Sequence, residues 1–289
     1  MADFFTVLEI GSGSFKVHRE NHFSVRFESS LGKNLIKSKL DPDSVNIAKK
    51  SLEENVIPFL EEHCIPLAEV LVFATSAIRQ AMGDPYGSGK DFVGLVLSYG
   101  FHDVKIFSEK DECEFAAWAV LQEIGDLHDE FQMLDTGGAS HQLVEFKNET
   151  IVKQRSYPIG SHTDLSQKPL PDFVADGYTP ALPIAVIGTT GYILNHVENL
   201  NRNTVREMIK TMDNQTIEER REFLQMMIAD ESIYELLVDF RLAVMPNALK
   251  IIYNCFDSLR SKRFLLSTSQ AMNYISKYGF EPFEAFRRG

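Results

Sequence analysis

The chain has 289 residues, enough for one large domain or two of ordinary size. Hydrophobic residues make up 44% and charged residues 24%, a globular rather than a disordered profile. With 29 basic against 41 acidic residues, the net charge of −12 argues against a nucleic-acid-coating protein. A long polyanion is then a partner only where a local basic patch overrides the net field.

The longest apolar runs, such as Leu71 to Ala74 and Leu95 to Leu97, are too short to cross a bilayer. The start, Met1-Ala2-Asp3-Phe4-Phe5, has no basic region leading into a long apolar core. These features predict a cytoplasmic protein with no membrane partner. Cys64, Cys113 and Cys255 are far apart, odd in number and without zinc-ligand spacing, so they read as reduced thiols. His18 and His22 flank a hairpin turn and read as strand or surface histidines rather than a metal pair.

In chain order, Phe4 to Leu8 predicts a strand that runs into the tight turn Glu9-Ile10-Gly11-Ser12-Gly13-Ser14. Phe15 to Val17 returns as a second strand. Phe23, Val25 and Phe27 alternate with Ser24, Arg26 and Glu28, the period of a third strand with one buried face. Asp41-Pro42 is a helix start, with Val45, Ala48, Leu52, Val56 and Phe59 following at helical spacing. Glu69 to Thr75 predicts a strand, Gly83 to Gly89 a loop and Asp91 to Tyr99 a helix ended by Gly100. Val104 to Phe107 predicts a strand and Glu109 to Glu123 a helix.

The opening theme then repeats. Phe131 to Leu134 is a strand, Asp135-Thr136-Gly137-Gly138-Ala139-Ser140 a second acidic-glycine turn, and Leu143, Val144 and Phe146 a returning strand. Asn148 turns the chain and Ile151 to Tyr157 is the third strand. Ser166 to Pro183 is a proline-rich loop. Ile184 to Ile187 is a strand that ends in a third small-residue turn, Gly188-Thr189-Thr190-Gly191, ahead of a helix. From Arg202 the chain is mostly helical, with a late strand over 264–266 and a last helix over 270–278. Two strand–turn–strand units a domain length apart indicate internal duplication. The expected domains are 1–124 and 125–289.

Glycine turns after strands expose backbone N–H groups that can cradle phosphate oxygens. Two of the three carry a carboxylate at the strand end, and paired carboxylates with few other ligands suit a hydrated Mg²⁺ ion.

Several segments together resemble the Ppx/GppA phosphatase family, whose fold belongs with actin, heat-shock chaperones and sugar kinases. Leu8-Glu9-Ile10-Gly11-Ser12-Gly13-Ser14-Phe15 resembles its first phosphate loop, Asp-x-Gly-Ser-Asn-Ser. Phe73-Ala74-Thr75-Ser76-Ala77-Ile78-Arg79-Gln80-Ala81 is similar to its Ala-Thr-Ser-Ala-x-Arg-x-Ala segment. Ile106-Phe107-Ser108 to Glu112 and Val120 resembles its Ser-Gly-x-Glu-Glu-Ala helix. Leu134 to Ser140 resembles its second loop, Asp-x-Gly-Gly-Gly-Ser. Pro158-Ile159-Gly160 and Gly188-Thr189-Thr190-Gly191 resemble two later markers.

The resemblance implies an α/β fold of two actin-like (ribonuclease H-like) lobes, each a mixed five-stranded sheet with flanking helices, and a cleft between them. It implies that Glu112 is the general base orienting an attacking water and that Arg79 lies beside the phosphate path. Asp135 would hold Mg²⁺ directly or through water, with Glu9 as the other carboxylate. Backbone amides of Gly11, Ser12, Gly13 and Ser14 and of Gly137, Gly138, Ala139 and Ser140 would bind phosphoryl oxygens, as would Gly188 and Thr189. The implied ligand is inorganic polyphosphate or a guanosine tetra- or pentaphosphate, and homodimers are common in such a family. Without the resemblance, Glu112 reads as part of a solvated acidic face with Glu109, Asp111 and Glu114. Arg79 reads as an ion-paired residue and Asp135 as a turn cap.

This chain departs from the family pattern. Glu9 replaces the first-loop Asp, Gln142 replaces the Glu that follows the second loop, and Ala139 replaces its third Gly. The stretch between Gly160 and Ile184 is short, and Ser269-Gln270-Ala271-Met272-Asn273 stands where a Gly-x-Arg-Glu-Gly motif is expected. Three functions are therefore compatible with the sequence: a Mg²⁺-dependent phosphohydrolase, a sensor that binds the nucleotide without cleaving it, and, ranked last because the Ala-Thr-Ser-Ala-x-Arg segment points to the phosphatase branch, an ATP-dependent sugar or acetate-type kinase.

Overall fold

The computed structural model describes residues 4–32, 35, 38–138, 140–265, 267 and 271–280. Ala139, Leu266, Ser269 and Gln270 lie outside the described residues. The chain divides into two units, one formed by Met1–Phe115 with Ala271–Gly289, the other by Ala116–Gln270.

In the first unit, β1 (Val7–Ile10), β2 (Ser14–Arg19), β3 (Phe23–Glu28), β4 (Leu71–Ala74) and β5 (Lys105–Ile106) form a five-stranded sheet in the order β3-β2-β1-β4-β5. The β1–β2 and β2–β3 pairs are antiparallel and the β1–β4 and β4–β5 pairs parallel. In the second unit, β6 (Glu130–Thr136), β7 (His141–Lys147), β8 (Thr150–Tyr157), β9 (Ile184–Ile187) and β10 (Phe264–Leu265) take the order β10-β9-β6-β7-β8. Its β6–β7 and β7–β8 pairs are antiparallel and its β6–β9 and β9–β10 pairs parallel. Strand for strand, the second sheet repeats the first. The duplication read from the two turns is therefore a duplication of topology, in the ribonuclease H-like arrangement.

The helices cover the faces that the strand periodicity makes apolar. In the first unit α1 (Pro42–Ser51), α2 (Ile57–Glu62), α3 (Ser76–Ala81) and α4 (Ser88–Ser98) pack Ala48, Leu60, Ala77, Ile78, Phe92 and Val96 with Leu8, Ile10, Phe15 and Val17. Asp41 accepts a hydrogen bond from the Ser44 N–H (3.0 Å) and caps α1, with Pro42 in its first turn. A π-helical stretch over Leu52–Val56 precedes Pro58 in α2, where a proline ring would crowd the carbonyl four residues back in an unbroken α-helix. Each fully buried Leu or Phe contributes about 1.5–3 kcal/mol by leaving water.

The long helix α5 (Glu109–Ile124) begins in the first unit and continues into the second. The second unit adds α6 (Gly188–Leu194), α7 (Arg202–Met212), α8 (Ile217–Met227) and α9 (Asp239–Ser258). Its core joins Leu134, Leu143 and Val186 to Val205, Met208, Leu224, Leu249 and Ile252.

The expected division into 1–124 and 125–289 is corrected at its end. The last helix, α10 (Ala271–Tyr278), belongs to the first unit. Its Met272 and Ile275 share a core with Val7, Phe73, Phe107 and Phe115. Buried Ser276 donates to the Phe5 carbonyl (2.7 Å) and accepts from the Glu20 N–H (2.8 Å), which fastens the helix to β1 and β2. The face of β1 that carries Val7 and Glu9 would otherwise stay open. Two further readings change: α4 starts at Ser88 rather than Asp91, and Gly188–Gly191 is the first turn of α6 rather than a turn ahead of it. Among the described residues no helix is long and apolar enough to cross a membrane. Cys64, Cys113 and Cys255 form no disulfide among the described residues.

Candidate active site

The first turn leaves β1 at Ile10 and enters β2 at Ser14. The Gly11 N–H donates to the Ser14 carbonyl at 3.0 Å, and a Cβ on Gly11 would stand 2.9 Å from that same oxygen, so only glycine closes the turn. The Ser29 N–H reaches the Gly13 carbonyl (3.1 Å) and the Ser29 hydroxyl the Gly11 carbonyl (2.9 Å). The Gly32 N–H bonds the Ser12 carbonyl at 2.7 Å. Residues 11–14 are thus held by their carbonyls from behind.

Glu9 faces Lys16 across the β1–β2 ladder, and the Lys16 ammonium lies 3.1 and 2.8 Å from its two carboxylate oxygens. A metal on Glu9 would have to displace that ammonium. Lys16 was not singled out from the sequence, although strand alternation places it opposite Glu9. Arg26 follows in the same cross-strand row, opposite Lys16. Burial lowers its pKa, and the Glu9 charge opposes that shift.

Arg79 and Glu112 meet within the first unit. Ser108 and Asp111 cap α5 reciprocally: the Ser108 N–H donates to Asp111 Oδ2 (2.9 Å) and the Asp111 N–H to Ser108 Oγ (3.1 Å). This cap fixes Glu112 in the first turn. Arg79, on α3 after β4, donates to Glu112 Oε2 at 3.2 Å and to the Phe107 carbonyl at 2.8 Å. Both side chains keep partial solvent access, 20% for Arg79 and 27% for Glu112. Glu109 lies farther from Arg79, at 3.9 Å. Glu112 therefore differs from its acidic neighbours by a specific guanidinium contact.

The second turn repeats the first. The Gly137 N–H donates to the Ser140 carbonyl at 2.9 Å, and a Cβ on Gly137 would again stand 2.9 Å from that oxygen. Asp135, half-buried at the end of β6, is opposite Gln142 on β7 and Ile187 on β9. Gly188 follows with φ of +80°, and a Cβ there would lie 2.9 Å from Asp135 Oδ1. The ends of β6 and β9 thus bring Asp135, Gly137, Gly138, Ser140, Gly188 and Thr189 into one region of the second unit. Gln142 is buried and donates to Ser140 Oγ at 3.2 Å.

The donor chemistry suits Mg²⁺ at Asp135 rather than a protein-built cage. Among the described residues no three His, Cys, Asp or Glu side chains form a metal-binding group. Mg²⁺ commonly uses one or two carboxylates and completes its octahedron with water and substrate phosphate. The missing Cβ at Gly188 leaves room beside the Asp135 carboxylate for such ligands.

The Ppx/GppA phosphatase family model matches residues 6–176, well over half of the chain. The chain belongs to the Ppx/GppA phosphatase family. The match takes in both acidic-glycine turns, Arg79, Glu112 and Asp135; Gly188 and Thr189 fall beyond it. The Aquifex aeolicus Ppx/GppA phosphatase, in its type II variant, is similar in structure with a TM-score of 0.64 at 18% identity, over 94% of this chain and 97% of that one. An exopolyphosphatase from Cytophaga hutchinsonii gives a TM-score of 0.72 at 15% identity, over 94% and 96% of the two chains. At such identities these likenesses show a shared fold. No curated protein sequence matches the chain. In this member of the Ppx/GppA phosphatase family Glu9 pairs with Lys16 and Gln142 stands beside Asp135.

Proposed function

We propose that the chain is a Mg²⁺-dependent phosphohydrolase that removes the terminal phosphate from inorganic polyphosphate or guanosine pentaphosphate. The observation that carries this reading is the meeting, in one unit, of two glycine-bearing strand ends on the single carboxylate of Asp135. When bound there, Mg²⁺ would neutralise phosphoryl charge. The N–H groups of Gly138 and Ser140 would orient phosphoryl oxygens in the second unit, and those of Ser12 to Ser14 in the first, since the Gly11 and Gly137 N–H groups already close their own turns. Arg79 would fix the Glu112 carboxylate so that it accepts a proton from the attacking water.

A second reading has its own support. Lys16 engages Glu9, and Gln142 stands where the family carries an acid, which leaves fewer carboxylates for metal. On that reading the chain binds a guanosine tetra- or pentaphosphate without turnover. Phosphate release from polyphosphate and from guanosine pentaphosphate, with Mg²⁺ and with chelator, separates the two. Metal-dependent release supports the hydrolase. Binding of the nucleotide with no release supports the sensor.

A further inference from the structure

After β8 the chain doubles back along the second turn. The Ser161 N–H donates to the Gly137 carbonyl (3.0 Å) and the His162 N–H to the Gly138 carbonyl (2.9 Å). The segment also closes on itself: the Gly160 N–H bonds Thr163 Oγ1 (2.8 Å) and the Thr163 N–H bonds the Gly160 carbonyl (2.9 Å). Two side chains hold it to the framework. His141 Nδ1 donates to the Ile159 carbonyl at 2.6 Å. Asn247 on α9 donates to the Ser161 and Thr163 carbonyls at 3.3 and 3.1 Å. A carbonyl only accepts, so His141 carries its proton on Nδ1.

This scaffold fixes one side chain against the turn. A Cβ on Gly138 would stand 2.8 Å from His162 Cδ2 and 3.0 Å from His162 Nε2. His162 is nonetheless solvent-exposed, and its ring makes no hydrogen bond or ion pair among the described residues. A backbone anchored at so many points, carrying a polar ring with no internal partner, is the preorganisation expected of a ligand contact. A ring that only covered Gly138 would gain nothing from its nitrogen atoms.

We infer that His162 is a binding residue of the second turn, its imidazole donating a hydrogen bond to a phosphoryl oxygen of a condensed-phosphate ligand. The inference rests on the phosphate-binding reading of the turn given above. His162 adds a side-chain donor to the N–H groups of Gly138 and Ser140. Partial burial against the turn lowers its pKa, so the free protein presents a neutral ring with one N–H.

The test is a titration of the whole chain with inorganic triphosphate, with and without Mg²⁺, read in long-range ¹H–¹⁵N spectra of the imidazoles. His162→Gln identifies the His162 signals by their loss. The inference expects those signals to move on saturation and His162→Leu to weaken triphosphate binding by about tenfold. Retention of most of the affinity in His162→Gln, which keeps a donor, also supports it. Triphosphate binding that leaves the ring signals unmoved and is unchanged in His162→Leu overturns this inference while sparing the phosphate-binding reading. Failure of the wild-type chain to bind triphosphate overturns both.

Discussion

Arg79 reaches Glu112 Oε2 at 3.2 Å while its same nitrogen holds the Phe107 carbonyl at 2.8 Å. One guanidinium thus ties the residue after β5 to the first turn of α5, where the candidate base Glu112 sits. Arg79→Met removes both contacts. The expected result is a kcat lowered by about a hundredfold with a smaller change in KM, since the base loses its orientation. Steady-state kinetics beside Arg79→Lys, which restores charge without the planar fork, checks it. Equal kcat in wild type and Arg79→Met would remove Arg79 from the mechanism.

Gln142→Glu restores the acid that the family carries beside Asp135. Gln142 is only 3% exposed, so an unpaired carboxylate there is costly, while a carboxylate shared with a divalent ion is not. The variant should melt lower than wild type in chelator and recover with Mg²⁺. Its Mg²⁺ requirement for activity should fall by about tenfold. Thermal melts across a Mg²⁺ series measure the first effect, and phosphate release across the same series measures the second.

Glycines test the packing. A Cβ on Gly191 would stand 2.3 Å from the Val186 carbonyl oxygen, so Gly191→Ala forces β9 and α6 apart at the candidate site. Its expected cost is about 3 kcal/mol. Gly94, inside α4, has nothing within 4 Å of its Cβ position, and Gly94→Ala should instead stabilise by about 0.5–1 kcal/mol. Urea unfolding of the two variants should move the midpoint in opposite directions.

His141 gives a pH signature. It is fully buried, and burial lowers its pKa from 6.5 to about 4. Below pH 6.5 the unfolded chain takes up the proton first, so this group's contribution is complete above pH 6.5 and is lost as pH falls through about 4. The loss amounts to about 3 kcal/mol over that window. Stability measured in urea from pH 7 to pH 4 should fall less steeply in His141→Phe. An identical slope in both proteins would mean that another group dominates.

The duplicated architecture was legible because two acidic-glycine turns mark equivalent strand ends, and the apolar alternation around each predicts the strands that follow. The candidate roles of Arg79 and Glu112 rest on collinear segments of a family; alone, Glu112 is one acid among Glu109, Asp111 and Glu114 on the same helix. The unit to which the last helix belongs is not legible, because its amphipathic pattern shows that a face is buried but not against what. Only the Ser276–Phe5 hydrogen bond and the contacts of Met272 and Ile275 decide that. Lys16 was missed although the register pairing it with Glu9 follows from the turn length. His162 carried no signal, since one histidine after Pro158-Ile159-Gly160 gains meaning only once its ring is seen against Gly138.

The most direct measurement is Mg²⁺-dependent phosphate release from polyphosphate and guanosine pentaphosphate by the wild-type chain beside Glu112→Gln. The account predicts metal-dependent release that falls by about a hundredfold or more in the variant, with substrate binding retained. Undiminished release by Glu112→Gln would contradict Glu112 as the base, and no release by the wild type from either substrate would contradict the hydrolase itself.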